Sequence, residues 1–263
     1  ICAYLAGEWN HLWLGRAAHL LETATATGFD RLLAEHRHAW ADRWEAVNVS
    51  IPDDPDTQLA VRFALFQLWC NVNRYDESAV GARGLSGSGY AGHVFWDADV
   101  FVLPAMVSID PAAARAMVAY RLRRLDAARA YAAANGHDGA RFPWESAASG
   151  DDVTPSSGLL GGTVVPILTG PQEEHITADV AWAAAHCAAW TAPTSADHRS
   201  YDQLLIETAR YWASRCRRGT DGSAHIDTVI GPDEYHEAVD DNAFTNVMAR
   251  WNLRAGADAA ERA

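Results

Sequence analysis

The chain has 263 residues, 49% of them hydrophobic, and a formal net charge of −13 at pH 7. This size and apolar content predict a globular protein with a sizeable core. The acidic balance argues against a nucleic-acid-binding surface, which needs clustered Lys and Arg. No apolar run approaches the roughly 18–20 residues of a membrane-spanning helix, so we expect no membrane association. The four scattered cysteines contain no CxxC pair, which favours reduced thiols and a cytoplasmic location.

In chain order, apolar periodicity predicts helices over 58–72, 111–134, 174–190, 200–218 and 241–255. The first is apolar on nearly every side, which indicates a buried helix. Asp110 and Pro111 are expected to begin the second, and a capping box of Ser200 with Gln203 the fourth. The expected buried stripes are Val118, Leu122 and Leu125; Ile176, Val180, Ala184 and Cys187; Leu205, Ala209, Trp212 and Cys216; and Phe244, Val247, Met248 and Trp251. Strand signals are short and confined to residues 163–168 and 225–230.

Two long irregular stretches, 81–98 and 136–173, separate these helices and are rich in Gly, Trp, Asp and Glu. Loops of this length inside a compact domain are uncommon and are usually functional. The pattern predicts an all-α fold, a ring of helix hairpins with long loops at one mouth and little strand. The functional site is expected among those loops.

Each long loop places a tryptophan beside a carboxylate: Trp96-Asp97 in HVFWDADVF (93–101) and Trp144-Glu145 in GARFPWESA (139–147). A sugar offers apolar C–H faces and a rim of hydroxyls, so an aromatic ring with a carboxylate is an efficient receptor for it. Two alternatives stay open from composition alone. Asp97 could be a helix N-cap above core aromatics, and Glu145 could be a solvated residue in a turn.

A third motif, IGPDEYHE (230–237), crowds Asp233, Glu234 and Glu237 with His236 behind a Gly-Pro turn. Crowded carboxylates raise one another's pKa, as a general acid at neutral pH requires. The alternative is the ordinary enrichment of acids at a helix N-terminus. Position 240 is Asp, so the zinc-protease spacing is absent. No nucleotide-binding glycine motif is present either, and we expect no metal and no organic cofactor.

Taken together, these motifs resemble glycoside hydrolase family 65, the inverting phosphorylases of α-glucosidic disaccharides and a few related hydrolases. The matching text is GARGLSGSGYAGHVFWDADVFVLP, GARFPWESA, EEHITADVAWA and VIGPDEYHEAVDDNAFTNVMARWNL. The resemblance implies an (α/α)6 barrel. Residues 1–57 would be an N-terminal extension and linker helix, and residues 58–263 the first part of a C-terminally truncated catalytic barrel.

The resemblance implies that Glu234 is the general acid and that Trp96, Asp97, Trp144 and Glu145 hold the glucosyl unit. It implies phosphorolysis of trehalose, maltose, kojibiose or a similar disaccharide, with inorganic phosphate as co-substrate and possible homodimer formation by the full-length protein. Asp99 departs from the Glu of many phosphorylases in the family and slightly favours hydrolysis. An inverting α-glucosidase and a non-catalytic sugar-binding remnant are the alternatives. The phosphate-binding residues, or a hydrolytic base, would lie beyond residue 263.

Overall fold

The computed structural model describes residues 11–85, 87 and 89–263. The chain forms two compact units, Ile1–Ala64 and Leu65–Ala263, while the predicted division after residue 57 stays a prediction. The described helices are α1 (His11–Thr27), α2 (Phe29–Val47), α3 (Pro55–Asn71), α4 (Leu103–Ile109), α5 (Pro111–Leu122), α6 (Leu125–Ala134), α7 (Thr169–Gln172), α8 (Ile176–Trp190), α9 (Ser195–Arg215) and α10 (Ala243–Arg262). These helices account for most of the chain, which confirms the all-α prediction. None of the described helices is long and apolar enough to cross a membrane.

The first unit contains α1, α2 and the beginning of α3. None of the side chains described between residues 14 and 64 is buried. The prediction that α3 is a buried helix is wrong: Leu59 and Phe63 are exposed, and Trp69 is its one buried residue. A helix that is apolar on every side gains free energy when it is buried, but its sequence does not show which element buries it. The first ten residues of the predicted extension lie outside the described range.

In the second unit, the helix predicted over 111–134 is two helices, α5 and α6. Asp110 begins α5 as expected and accepts a hydrogen bond from the Ala113 amide at 3.3 Å. The break follows Leu122, where Arg124 leaves helical geometry and its guanidinium binds the carbonyl of Tyr120 at 2.8 Å. A side chain that hydrogen-bonds to a backbone carbonyl competes with the helix for that acceptor. Hydrophobic periodicity does not report such a hydrogen bond, so the sequence did not predict the break.

Helix α8 buries its predicted stripe of Ile176, Val180, Ala184 and Cys187. Helix α9 begins five residues earlier than predicted, because Thr194 and Asp197, not Ser200 and Gln203, form the capping box. The predicted stripe of helix α10 is partly confirmed: Met248 and Trp251 are half-buried and pack against the core, whereas Phe244 and Val247 stay exposed. Its buried face approaches α9 closely and consists of Thr245, Ala249, Asn252, Gly256 and Ala259.

Two small antiparallel hairpins complete the described structure. Strands β1 (Ser157–Leu160) and β2 (Thr163–Pro166) pair with Leu160 opposite Thr163, so the signal at 163–168 is partly confirmed. Gly161 and Gly162, both with positive φ, form the two-residue turn that such a hairpin needs. The strand expected at 225–230 is wrong. Strand β4 (Ala224–His225), which pairs with β3 (Arg217–Arg218), reaches only the first residue of that range, and Thr228 adopts a left-handed φ of 59° that breaks an extended run.

Candidate active site

The long loops of the second unit enclose a cavity of about 740 Å³. All five predicted site residues line it. They come from separate parts of the chain, and their neighbours in the wall include Tyr90, His93, Phe95, Ile167 and Thr169. The structure thus brings the two tryptophan–carboxylate loops and the GPDEYH segment together around one cavity. The roles assigned to those residues stay predictions.

Trp96 and Asp97 lie in the first turn of a helical stretch that continues as a π-helical turn, Ala98–Val102. Asp97 has helical dihedrals, and its side chain caps no backbone amide, so the helix-cap alternative is wrong. The half-buried Trp96 ring stands perpendicular to the His175 ring, with centroids 4.9 Å apart. Phe95 is buried and meets the Trp144 ring edge to face at 4.9 Å. Aromatic contacts on both sides fix the wall that presents Trp96 and Asp97.

The second loop is joined to the first by paired backbone hydrogen bonds of 2.8 and 3.0 Å between Val94 and Ser146. This bridge brings Trp144 and Glu145 beside the Trp96 wall. Glu145 is only 5% exposed, and its Oε2 lies 2.6 Å from His93 Nδ1. The solvated-turn alternative is therefore wrong. Sequence reasoning quoted His93 within a motif but gave it no role, since only the fold reveals a partner 52 residues away.

Glu234 lies on an exposed irregular segment, and no helix begins until Ala243. The alternative of helix N-terminal acid enrichment is therefore wrong. Burial against the cavity wall raises the pKa of the Glu234 carboxyl above its ordinary value, and the negative charge of Asp97 raises it further. A carboxyl with a raised pKa keeps its proton at a higher pH, which is the property of a general acid.

Behind the cavity, sequence reasoning missed a buried chain of three ionisable groups. His175 lies between two carboxylates, with Nε2 3.0 Å from Glu173 and Nδ1 2.6 Å from Asp179. Burial opposes the charge on His175, but these two hydrogen bonds raise its pKa to about 9. Burial is also the main cause that raises the pKa of Glu173 and that of Asp179. The sequence did contain a signal for this chain, because EEHITAD (173–179) places one carboxylate two residues before His175 and another four residues after it.

Asp99, singled out as a departure from the family pattern, does not line the cavity. It is buried and paired with Arg121, whose Nη2 lies 2.6 Å from Asp99 Oδ2. Arg121 also donates to the carbonyl of Phe95 at 3.3 Å, so the pair supports the backbone just before Trp96. Asp99 therefore acts on the cavity wall through Arg121 and the backbone, and the preference for hydrolysis drawn from its identity stays a prediction.

The arrangement suits a sugar bound between aromatic rings, with carboxylates at its hydroxyls and a carboxyl of raised pKa at one edge. Within the described ranges, no group of three or more His, Cys, Asp or Glu side chains could hold a metal ion.

Comparison with known proteins gives the family. Residues 62–263 match the model for the glycosyl hydrolase family 65 central catalytic domain. Kojibiose phosphorylase of Caldanaerobacter subterraneus subsp. tengcongensis is 43% identical over 232 residues, which are 87% of this chain and 30% of that protein. Kojibiose hydrolase of Flavobacterium johnsoniae is 38% identical over 90% of this chain and 34% of its own length. The chain thus spans about a third of the length of these curated relatives.

Among solved structures, "Putative kojibiose phosphorylase from human microbiome" superposes with a TM-score of 0.80 over 95% of this chain and 32% of that one, at 23% identity. That likeness concerns the fold and agrees with a partial (α/α)6 barrel. The sequence match covers more than half of the chain and includes every motif that lines the cavity. The chain therefore belongs to glycosyl hydrolase family 65.

Proposed function

We propose that the intact protein containing this chain cleaves an α-glucosidic disaccharide with inversion at C1, with Glu234 as the general acid. The placement of Glu234 on the same cavity as Trp96, Asp97, Trp144 and Glu145 carries the proposal. Its raised pKa supports the role, because a proton donor must stay protonated at the working pH.

In this mechanism, Trp96 and Trp144 lie against the apolar faces of the glucosyl unit, while Asp97 and Glu145 accept hydrogen bonds from its hydroxyls. Glu234 donates its proton to the glycosidic oxygen as the bond from that oxygen to C1 breaks. Phosphate attacks C1 from the opposite face, which gives β-glucose 1-phosphate and the second sugar in free form. Phosphate supplies its own nucleophilic oxygen, so no catalytic base is needed.

We propose kojibiose as the preferred substrate, because the names of relatives in Caldanaerobacter, Escherichia coli and Flavobacterium give kojibiose as their substrate. Maltose and trehalose follow as alternatives. Hydrolysis is the second candidate reaction, since the Flavobacterium relative is a kojibiose hydrolase. Water would then attack C1 with the help of a second carboxylate.

The test is to incubate the intact protein with kojibiose, maltose or trehalose, with and without inorganic phosphate, and to follow the products by proton NMR. We expect kojibiose to be consumed only with phosphate, and the first glucosyl product to be the β-anomer of glucose 1-phosphate. Glucose released equally fast without phosphate would establish the hydrolase instead. Saturable sugar binding with no turnover under either condition would leave only the sugar-binding remnant.

A further inference from the structure

We infer that Gln172 is a positioning residue that holds the general acid Glu234 in place for proton donation. The inference rests on the proposed function, since it assigns a support to the acid of that same site. Residues 231–238, which carry Glu234, are called the acid loop below.

The acid loop leaves a narrow stem. Val229 and Val239 exchange two backbone hydrogen bonds of 2.9 Å, which fixes the base of the loop. Beyond the stem, every residue from Pro232 to Ala238 is exposed. From Pro232 to Glu237, the hydrogen bonds are local to Asp233, which accepts from the amides of Tyr235 and His236 and contacts the His236 ring. Such contacts shape the tip but cannot fix its position against the cavity wall.

Gln172, the last residue of α7, contacts both arms of the loop. Its backbone carbonyl accepts a hydrogen bond from the Ile230 amide at 3.0 Å. Its side-chain Oε1 accepts one from the Ala238 amide, also at 3.0 Å. Among the residues that the structure describes, no other side chain from outside the acid loop hydrogen-bonds to it. Gln172 therefore links Ile230, just before the acid loop, to Ala238, the last residue of that loop.

The Ala238 contact matters because of the backbone geometry at that residue. Ala238 has a left-handed φ of 53°, a conformation that a residue with a Cβ adopts only when its surroundings hold it there. The hydrogen bond from the Ala238 amide to Gln172 is such a restraint. Without it, Ala238 is free to relax to negative φ, and that change would displace the arm bearing Glu234.

Helix α7 is itself a firm anchor for Gln172. The buried guanidinium of Arg141 donates to the carbonyls of Gly170 and Pro171 at 3.0 and 2.8 Å. The next residue, Glu173, joins the buried chain with His175. The same segment lines the cavity through Thr169. Gln172 thus connects the acid loop, which has few other contacts, to a wall segment that is itself held by hydrogen bonds.

The consequence for catalysis follows from distance. A general acid must lie within roughly 2.6–3.2 Å of the oxygen that it protonates, and an error of about 1 Å can cost on the order of a hundredfold in rate. A displaced acid slows only a reaction whose leaving group needs a proton. A substrate with a leaving group that departs unprotonated should therefore be nearly insensitive to Gln172.

The experiment compares Gln172→Met with wild type in the intact protein. Met keeps the length of the side chain and removes the acceptor. On the disaccharide that the protein cleaves, we expect kcat to fall at least tenfold and KM to change less than twofold. On 2,4-dinitrophenyl α-glucoside, kcat should fall less than threefold. Gln172→Glu keeps an acceptor oxygen and should retain at least a third of the wild-type kcat.

Gln203→Met, the same substitution at an exposed position of α9, is the matched control and should leave both activities unchanged. A measurement independent of turnover is amide hydrogen exchange. In Gln172→Met, peptides covering the acid loop should exchange at least tenfold faster, while those from α8 should not change. If Gln172→Met proves unfolded, Gln172→Ala is measured in the same way.

Glu234→Gln separates the inference from the proposed function. If Glu234→Gln loses disaccharide cleavage selectively but Gln172→Met loses both substrates equally, or neither, the function stands and the inference is overturned. Unchanged exchange of the acid loop overturns it as well. If wild type cleaves no disaccharide, or Glu234→Gln is fully active, the proposed function fails and the positioning role fails with it.

Discussion

Replacing Arg121 with Met would show how strongly a buried ion pair supports the wall that presents Trp96. The Arg121 side chain is 2% exposed and binds both carboxylate oxygens of Asp99. Removing one partner of a buried pair leaves an uncompensated charge, which costs about 3–5 kcal/mol. Asp179 stands close enough for the charge of Asp99 to raise its pKa, and this added repulsion places the expected loss in the upper half of that range.

The assay is urea unfolding of the intact protein, with the free energy extrapolated to zero denaturant. Arg262→Met is the control, because it breaks an exposed pair with Asp202 and should cost less than about 1 kcal/mol. Adding Asp99→Asn to Arg121→Met should recover at least half of the loss, since it removes the stranded charge. The reasoning is refuted if Arg121→Met costs no more than the control, or if the double variant recovers nothing.

Three further measurements test the charges and the backbone. Asp97→Asn should lower the pKa of Glu234 and move the alkaline limb of the kcat/KM profile to lower pH, because the active acid is protonated; an unmoved limb would contradict this. His175 keeps its proton up to pH about 9 when folded, against about 6.5 when unfolded, so the unfolding free energy should fall by about 3 kcal/mol across that window. His175→Gln should flatten that fall. Gly139→Ala should cost about 1–3 kcal/mol more than Gly136→Ala, because both have positive φ but only at Gly139 would a Cβ meet the Glu207 carbonyl.

The sequence predicted the helices better than their faces. Helix α8 was right in extent and in its buried stripe, because apolar residues repeat at helical spacing through Ile176, Val180 and Ala184, although the helix is buried on other sides as well. Helix α10 was right in type but only partly right in face, since Met248 and Trp251 pack against the core and Phe244 and Val247 stay exposed. Its buried side is made of small residues such as Ala249 and Gly256, whose burial follows from the close approach of α9. Hydrophobicity ranks residues by their own chemistry and does not measure the distance to a neighbouring helix.

The candidate site was also predicted only in part. Motif reading selected five residues that are among those lining the cavity, because each motif pairs residue types with a chemical purpose. It missed the residues that support them. His93 reaches Glu145 across 52 positions, and Gln172 reaches Ala238 across 66. A single histidine or glutamine has no local pattern, so only the fold can identify its partner.

Substrate binding itself should raise the pKa of Glu234 further. The Glu234 side chain is exposed, yet burial is already the larger of the two causes that raise this pKa, ahead of the charge of Asp97. A bound disaccharide would exclude water from the carboxyl, which strengthens the larger cause. Its hydroxyls would partly neutralise Asp97, which weakens the smaller one. The alkaline limb of kcat, which reports the complex, should therefore lie at higher pH than the limb of kcat/KM, which reports the free enzyme. Coinciding limbs would show that the sugar does not cover Glu234, and limbs in the reverse order would show that Asp97 dominates.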